Sequence, residues 1–275
     1  MVKVLMAALI LQAAVTNDGA PPAAATLRST GEGQVEELGE RCTLSYQFAE
    51  NGSNIGLRIR PGTLGESFQL TLLLPGNDAT SAGRAMIVLS PNQEREMTVP
   101  FERKLEAGQT ALTMKGFGGA DWYFAGTSRI RVALPDRVVD LAPTGFDRAL
   151  LSLRACHDDL LSRWGVTPVE RAFVGPLEAK DRAYAIGDPD RWFGADSYPR
   201  GAPAAQQEGS VTILWAIGLD GRAKDCRIIS SSGVPELDAA ACAAIVERGR
   251  YRPIRDANGN AIVLHAFRVV DWRLQ

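Results

Sequence analysis

Between Cys42 and about Leu141 the chain never sustains a helical period. Short runs in which apolar and polar residues alternate follow one another: "CTLSYQF", "IGLRIRP", "SFQLTLLLPG", "RAMIVLS", "EMTVPFE", "TALTMKG" and "SRIRVALP", each cut off by turn-forming residues. Alternation with a period of two sends neighbouring side chains to opposite faces of a strand. A stretch of this length can bury its apolar half only by laying strands side by side around one core, so the expected fold is an antiparallel β-sandwich or barrel. The period then changes. In "TGFDRALLSLRACHDDLLSRWG" the residues Phe146, Leu150, Leu153, His157, Leu160 and Trp164 recur at three- and four-residue steps. This predicts an amphipathic helix, with Thr144 as its cap and Gly165 as its stop, that closes a β-rich domain over residues 24–165.

Residues 166–197 have no sustained period. "GDPDRWFGADSYPRGAPAAQQEG" is rich in Pro, Gly, Asp and Ala, so this region reads as a linker that becomes ordered near Tyr198. Trp192 and Phe193 stand out from the polar residues around them and read as a pair docked on a neighbouring domain. Beyond Tyr198 the pattern sharpens into a second domain, 198–275. "GSVTILWAIGLDG" is a strand ending at the turn formers Asp220 and Gly221, and "RAKDCRIISSSG" is the second arm of the hairpin. "VPELDAAACAAIVERG" starts a helix at Pro235, repeats Leu237, Ala241 and Ile245 at four-residue steps, and stops at Gly249. After a turn over Asp256 to Gly259, "IVLHAFRVVDWRLQ" forms a long final strand. The order is strand, strand, helix, strand, which makes the chain as a whole α+β.

The first residues read as an export signal. Lys3 precedes an apolar run from Val4 to Val15, shorter than the roughly 20 residues that a membrane-spanning helix requires, and small residues follow. Residues 1–20 are therefore expected to be a signal peptide, cut between Ala14 and Ala25; retention as an anchor is the alternative. Export implies an oxidising compartment, where thiols pair. The four cysteines allow three complete pairings. The two-domain reading selects Cys42 with Cys156, which ties the closing helix to the first strand, and Cys226 with Cys242, which ties a strand to the helix after it. The net charge of −2 gives no basic surface for a phosphate backbone, so nucleic acid is not an expected partner.

Catalytic patterns are absent. The two histidines, His157 and His265, fall in different domains, and neither has metal-ligand spacing to a cysteine or a carboxylate cluster. The chain has no CxxC, no phosphate-cradling glycine loop and no G-x-S-x-G. Ser230, Ser231 and Ser232 read as a polar turn between strand and helix. His157, Asp158 and Asp159 are consecutive on a helix and so point in different directions. No cofactor, metal or catalytic residue is expected.

The motifs after residue 197 resemble those of the TonB energy-transducer C-terminal domain. Tyr198-Pro199, the hairpin "EGSVTILWAIGLDGRAKDCRIISSSG" with its Asp220-Gly221 turn, "LDAAACAAI", "RYRPIRDANGNA" with Tyr251 and Pro253, and the Gly259 turn occur in the family's order over about 80 residues. The resemblance implies a periplasmic domain of the Gram-negative envelope, with a three-stranded antiparallel sheet and two helices. It implies binding of an extended segment of an outer-membrane receptor, or of another periplasmic protein, as a strand added to the sheet edge. Carried onto this chain, the partner-binding residues are Tyr198, Pro199, Val263, His265, Phe267 and Val269, and transmembrane transport is the associated process.

Two features depart from the family. A force-transducing member has a full N-terminal membrane helix and a long proline-rich spacer, whereas this chain has a short signal-like segment and a β-domain. The Gln-Pro pair that often precedes Tyr-Pro is also missing. The leading expectation is thus a non-enzymatic, exported, disulfide-stabilised binding protein. A true energy transducer with an uncleaved anchor and an exported hydrolase with a site in the β-domain are the alternatives.

Overall fold

The computed structural model describes residues 25–76, 84–90, 93–98, 101–105, 109–134, 137–167, 170, 184–202, 206–256 and 258–274. The expected signal segment, 1–20, lies outside the described residues, as does much of the expected linker.

The β-rich part is one sheet of eleven strands: β1 (Thr26–Glu32), β2 (Gln34–Glu37), β3 (Cys42–Glu50), β4 (Ser53–Pro61), β5 (Ser67–Pro75), β6 (Arg84–Ser90), β7 (Gln93–Thr98), β8 (Phe101–Leu105), β9 (Gln109–Phe117), β10 (Arg129–Ala133) and β11 (Val138–Thr144). Their spatial order is β7-β6-β10-β11-β1-β3-β4-β5-β9-β8, with β2 paired to β3 off this path. A short helix α1 (Ala120–Phe124) and the long helix α2 (Phe146–Arg163) complete it. Both halves of the sheet feed one core. Leu44, Phe48, Leu57 and Leu70 from one half, Ile87, Ile130 and Leu141 from the other, and Leu150, Leu153 and Leu160 of α2 belong to one buried cluster. The eleven strands form a large half-barrel, with α2 packed on β2 and β3.

Three expectations change. The strands begin at Thr26, not Cys42: β1 and β2 are mostly exposed and polar, so they lack the apolar alternation by which strands are read. The sheet is not wholly antiparallel, because β1 runs parallel to β11, with Leu27 opposite Leu141. Thr144 does not cap α2. It ends β11, its carbonyl accepts the Tyr46 hydroxyl at 2.9 Å, and the cap position belongs to Gly145 at φ 65°, a left-handed backbone that glycine adopts without strain. The helix stops as expected, with Gly165 N–H donating to the Ser162 carbonyl at 3.0 Å. Cys42 and Cys156 are bonded, their Cα atoms 6.1 Å apart across a sequence separation of 114.

The C-terminal part is a three-stranded antiparallel sheet in the order β13-β12-β16, from β12 (Gly209–Ile217), β13 (Ala223–Ser230) and β16 (Leu264–Trp272), with helix α3 (Pro235–Arg248). A two-stranded ribbon of β14 (Ile254–Arg255) and β15 (Ala261–Ile262) precedes β16, so the long final strand is broken at Val263. Where the first of two expected helices would stand there are two short 3-10 turns, Pro189–Phe193 and Ala195–Ser197. Hydrogen bonding to the C-terminal sheet unit is already present at Tyr184, ahead of Tyr198: the Tyr184 carbonyl accepts Arg252 N–H, and Ile186 N–H donates to the Arg250 carbonyl, both at 2.7 Å. Trp192 is buried, its ring 5.3 Å from that of Tyr251.

One buried carboxylate joins strands inside the half-barrel. Asp140 of β11 is fully buried and accepts Arg129 Nε at 2.5 Å and Arg131 Nε at 3.0 Å. Burial pushes its pKa up, but the hydrogen bonds and charges of Arg129 and Arg131 outweigh this and hold the group below its ordinary value. A carboxylate with a depressed folded pKa contributes stability that is complete above its unfolded value, about 3.9, and is lost as pH falls through the folded value. Asp140→Asn is expected to cost about 1 to 3 kcal/mol at pH 7. The gap should begin to narrow below about pH 4 and close only as pH falls through the lower folded value, when urea unfolding is followed by circular dichroism.

Candidate binding edge of the C-terminal sheet

The central strand β12 is apolar along nearly its whole length because both of its faces are covered. Val211, Ile213, Trp215 and Ile217 pack with Leu237, Ala241 and Ile245 of α3 and with Ala266 and Val270 of β16. On the opposite face, Leu214 and Ile229 belong to the core of the half-barrel, and Phe267 packs against it. The hairpin between β12 and β13 turns at Gly221, at φ 73°. A Cβ there would lie 2.1 Å from the Tyr251 carbonyl oxygen, so glycine alone fits. Tyr251 N–H donates back to the Gly221 carbonyl at 2.7 Å.

The two edges of this sheet differ in kind. On β13 the register with β12 shifts twice, Asp225 sits at a positive φ of 53°, and Lys224, Asp225 and Arg227 are exposed. Bulges and charges of this sort blunt an edge against further pairing. On β16 the register is unbroken over nine pairs, from Gly209 opposite Trp272 to Ile217 opposite Leu264. His265 N–H points away from β12 and donates to Glu170 Oε1. By alternation, the main-chain groups of Phe267, Val269 and Asp271 also point outward. Among the described residues no strand pairs with that side of β16.

The residues expected to face a partner divide into two groups. Val269 is 51% exposed and Val263 37% exposed, both along this edge. The other four have structural contacts. The Tyr198 ring stands 5.2 Å from that of Trp272, and its hydroxyl donates to the Gln207 carbonyl. The Pro199 carbonyl accepts Ala202 N–H at 3.0 Å. His265 is buried, with Nδ1 3.0 Å from Glu170 Oε2, and the Phe267 side chain turns toward the half-barrel. Glu170 is buried and closes the first outward rung of β16. No sequence signal marked it, because it sits in an aperiodic stretch and its role depends on a strand 95 residues away.

Cys226 of β13 and Cys242 of α3 are bonded, with Cα atoms 5.5 Å apart. The serine turn between them is organised by one carboxylate: Asp238 accepts Ser232 N–H at 2.8 Å and the Ser231 and Ser232 hydroxyls at 2.5 and 2.7 Å. The bond ties the middle of α3 to the middle of β13, and the carboxylate holds the start of α3 to the serine turn that ends the strand. Ligand atoms of Glu37, Cys42 and Cys156 lie within 4.8 Å of one another, but the two sulfurs are bonded to each other, which leaves no thiolate for a metal.

Residues 195–273 match the family model described as Gram-negative bacterial TonB protein C-terminal. The C-terminal unit is TonB-like. Among solved structures, the solution NMR structure of the Pseudomonas aeruginosa TonB C-terminal domain is similar at 28% identity, covering 28% of this chain and 77% of that chain, with a TM-score of 0.25. No curated protein matches the chain. The family match takes in the second 3-10 turn, the hairpin, α3 and β16, while the half-barrel lies outside it.

Within the TonB-like unit the Cys226–Cys242 bond closes a loop with a separation of 16 residues, which on the chain-entropy model stabilises by about 3 kcal/mol. The double variant Cys226→Ser, Cys242→Ser is expected to unfold at lower urea concentration by that order. An unchanged midpoint for the C-terminal unit would show that the bond is not a staple.

Proposed function

We propose that this chain is an exported, non-enzymatic envelope protein whose TonB-like domain binds an extended segment of an outer-membrane receptor, or of another periplasmic protein, by taking it up as a strand on β16. The observation that carries the reading is the contrast between the sheet edges: β13 is bulged and charged, whereas β16 is in regular register with outward main-chain groups at Phe267, Val269 and Asp271. Main-chain hydrogen bonds from such an edge supply affinity to any extended chain, and the side chains beside it supply selection. Of the expected contact residues, Val269 and Val263 are placed to touch an added strand directly. Tyr198, Pro199, His265 and Phe267 serve by fixing the strand and its entry. The TonB-like match supports a role linked to transport across the outer membrane. Among the described residues no helix is long and apolar enough to cross a membrane, and the N-terminal apolar run lies outside them.

The test uses the register. A photoreactive amino acid at Val269, in the full chain expressed in its native envelope, is expected to crosslink to a receptor or periplasmic protein, whereas one at Lys224 on the opposite edge is not. Val269→Pro removes an outward N–H without touching the β12 ladder, and proline is tolerated on edge strands. It should abolish capture while leaving the urea midpoint nearly unchanged. Equal crosslinking from the two edges, or capture that survives Val269→Pro, would overturn strand addition at β16.

A further inference from the structure

The half-barrel and the TonB-like sheet meet over a cleft of about 250 Å³. Its apolar lining comes from Trp164 at the end of α2, Ile229 of β13, and Phe267 and Val269 of β16. Its cationic lining comes from Arg41, Arg60 and Lys115. A shallower cavity of about 350 Å³ shares Arg41 and Arg60 and opens toward Ser230 and Ser231, so these two guanidinium-bearing residues stand on a wall common to both spaces.

Their charges lack compensation. Among the described residues, Arg41, Arg58 and Arg60 make no ion pair with a carboxylate. Arg60 Nε donates to the Thr43 hydroxyl at 2.9 Å, a contact that aims the side chain without neutralising it. Burial first, then repulsion from Arg41 and Arg58, pulls Arg60 below its ordinary pKa. The carboxylates on the cleft wall have other bonds: Glu40 accepts the Trp164 indole N–H at 2.5 Å, and Glu66 accepts Leu64 N–H and the Ser67 hydroxyl. His157 also lines the cleft, from the α2 side. Cations withdrawn from water are ordinarily paired, and a guanidinium presents a planar fork that matches a carboxylate or phosphate. An anion between Arg41 and Arg60 would relieve both the desolvation and the mutual repulsion.

We infer that this cleft is a binding site for a small amphipathic anion, its headgroup held by Arg41 and Arg60 and its apolar part laid on Trp164, Phe267 and Val269. The volume lies below the roughly 300 to 1,000 Å³ of drug-sized sites, which restricts the ligand to a short chain. The site belongs to the junction between the two units, so neither unit alone would form it. It shares Val269 with the strand-addition edge, but its headgroup contacts, Arg41 and Arg60, lie off β16.

Calorimetric titration of the full chain with octanoate, octyl phosphate, octanol and inorganic phosphate tests this. Octanoate or octyl phosphate is expected to bind one to one, and whichever binds identifies the headgroup. Octanol and inorganic phosphate should bind at least tenfold more weakly, since each lacks half of the recognition. Arg41→Gln and Arg60→Gln should each weaken the anion at least tenfold, and Lys224→Gln, on the far edge, should not. Near-ultraviolet circular dichroism identifies which variants remain folded; Arg41→Gln provides the test if Arg60→Gln does not fold. The inference is overturned if neither anion binds, if octanol binds as well as the anions, or if folded Arg41→Gln binds like wild type.

Discussion

The rest of the structure depends on the burial of β12 from both sides. A three-stranded sheet with one helix has one face to spare, and in a small domain an uncovered apolar face is a site for association. Here Leu214, Ile229 and Phe267 close that face against the half-barrel, while Val211, Ile213, Trp215 and Ile217 close the other against α3. The half-barrel is therefore a lid on the sheet as well as a domain beside it. With both faces covered, strand pairing can be extended only at an edge, and the bulges and charges of β13 disfavour one of the two.

The disulfides fit this arrangement. Cys42–Cys156 joins α2 to β3 inside the half-barrel, and Cys226–Cys242 joins α3 to β13 within the sheet unit. Neither crosses the junction, which is made instead by packing and by the buried Glu170–His265 contact. Each unit is thus covalently braced, and the contact between them rests on noncovalent forces.

Much of the fold was legible from residue spacing. The runs beginning at Cys42, "IGLRIRP" and "SFQLTLLLPG" became β3, β4 and β5, and the spacing of Leu150, Leu153 and Leu160 became α2. The C-terminal order of hairpin, helix and strand also held. What escaped were elements without an apolar period: β1 and β2, whose side chains are largely exposed, and the 3-10 turns around Trp192, whose burial depends on Tyr251. The candidate edge was legible as a strand but not as a surface. His265 and Phe267 had been expected to face a partner, and they turn instead toward Glu170 and the half-barrel.

By itself the sequence determined the strands and helices that carry an apolar period, which cysteines lie within reach of each other, and which stretch carries TonB-like motifs. These follow from local periodicity, turn chemistry and short-range spacing, all written in consecutive residues. Only the tertiary structure decided that β12 is covered on both faces, that β16 rather than β13 offers the regular edge, and that Arg41 and Arg60 share a cleft wall with no ion pair to a carboxylate among the described residues. Those outcomes depend on contacts between residues far apart in the chain, where burial and charge pairing are properties of neighbours that no single segment contains.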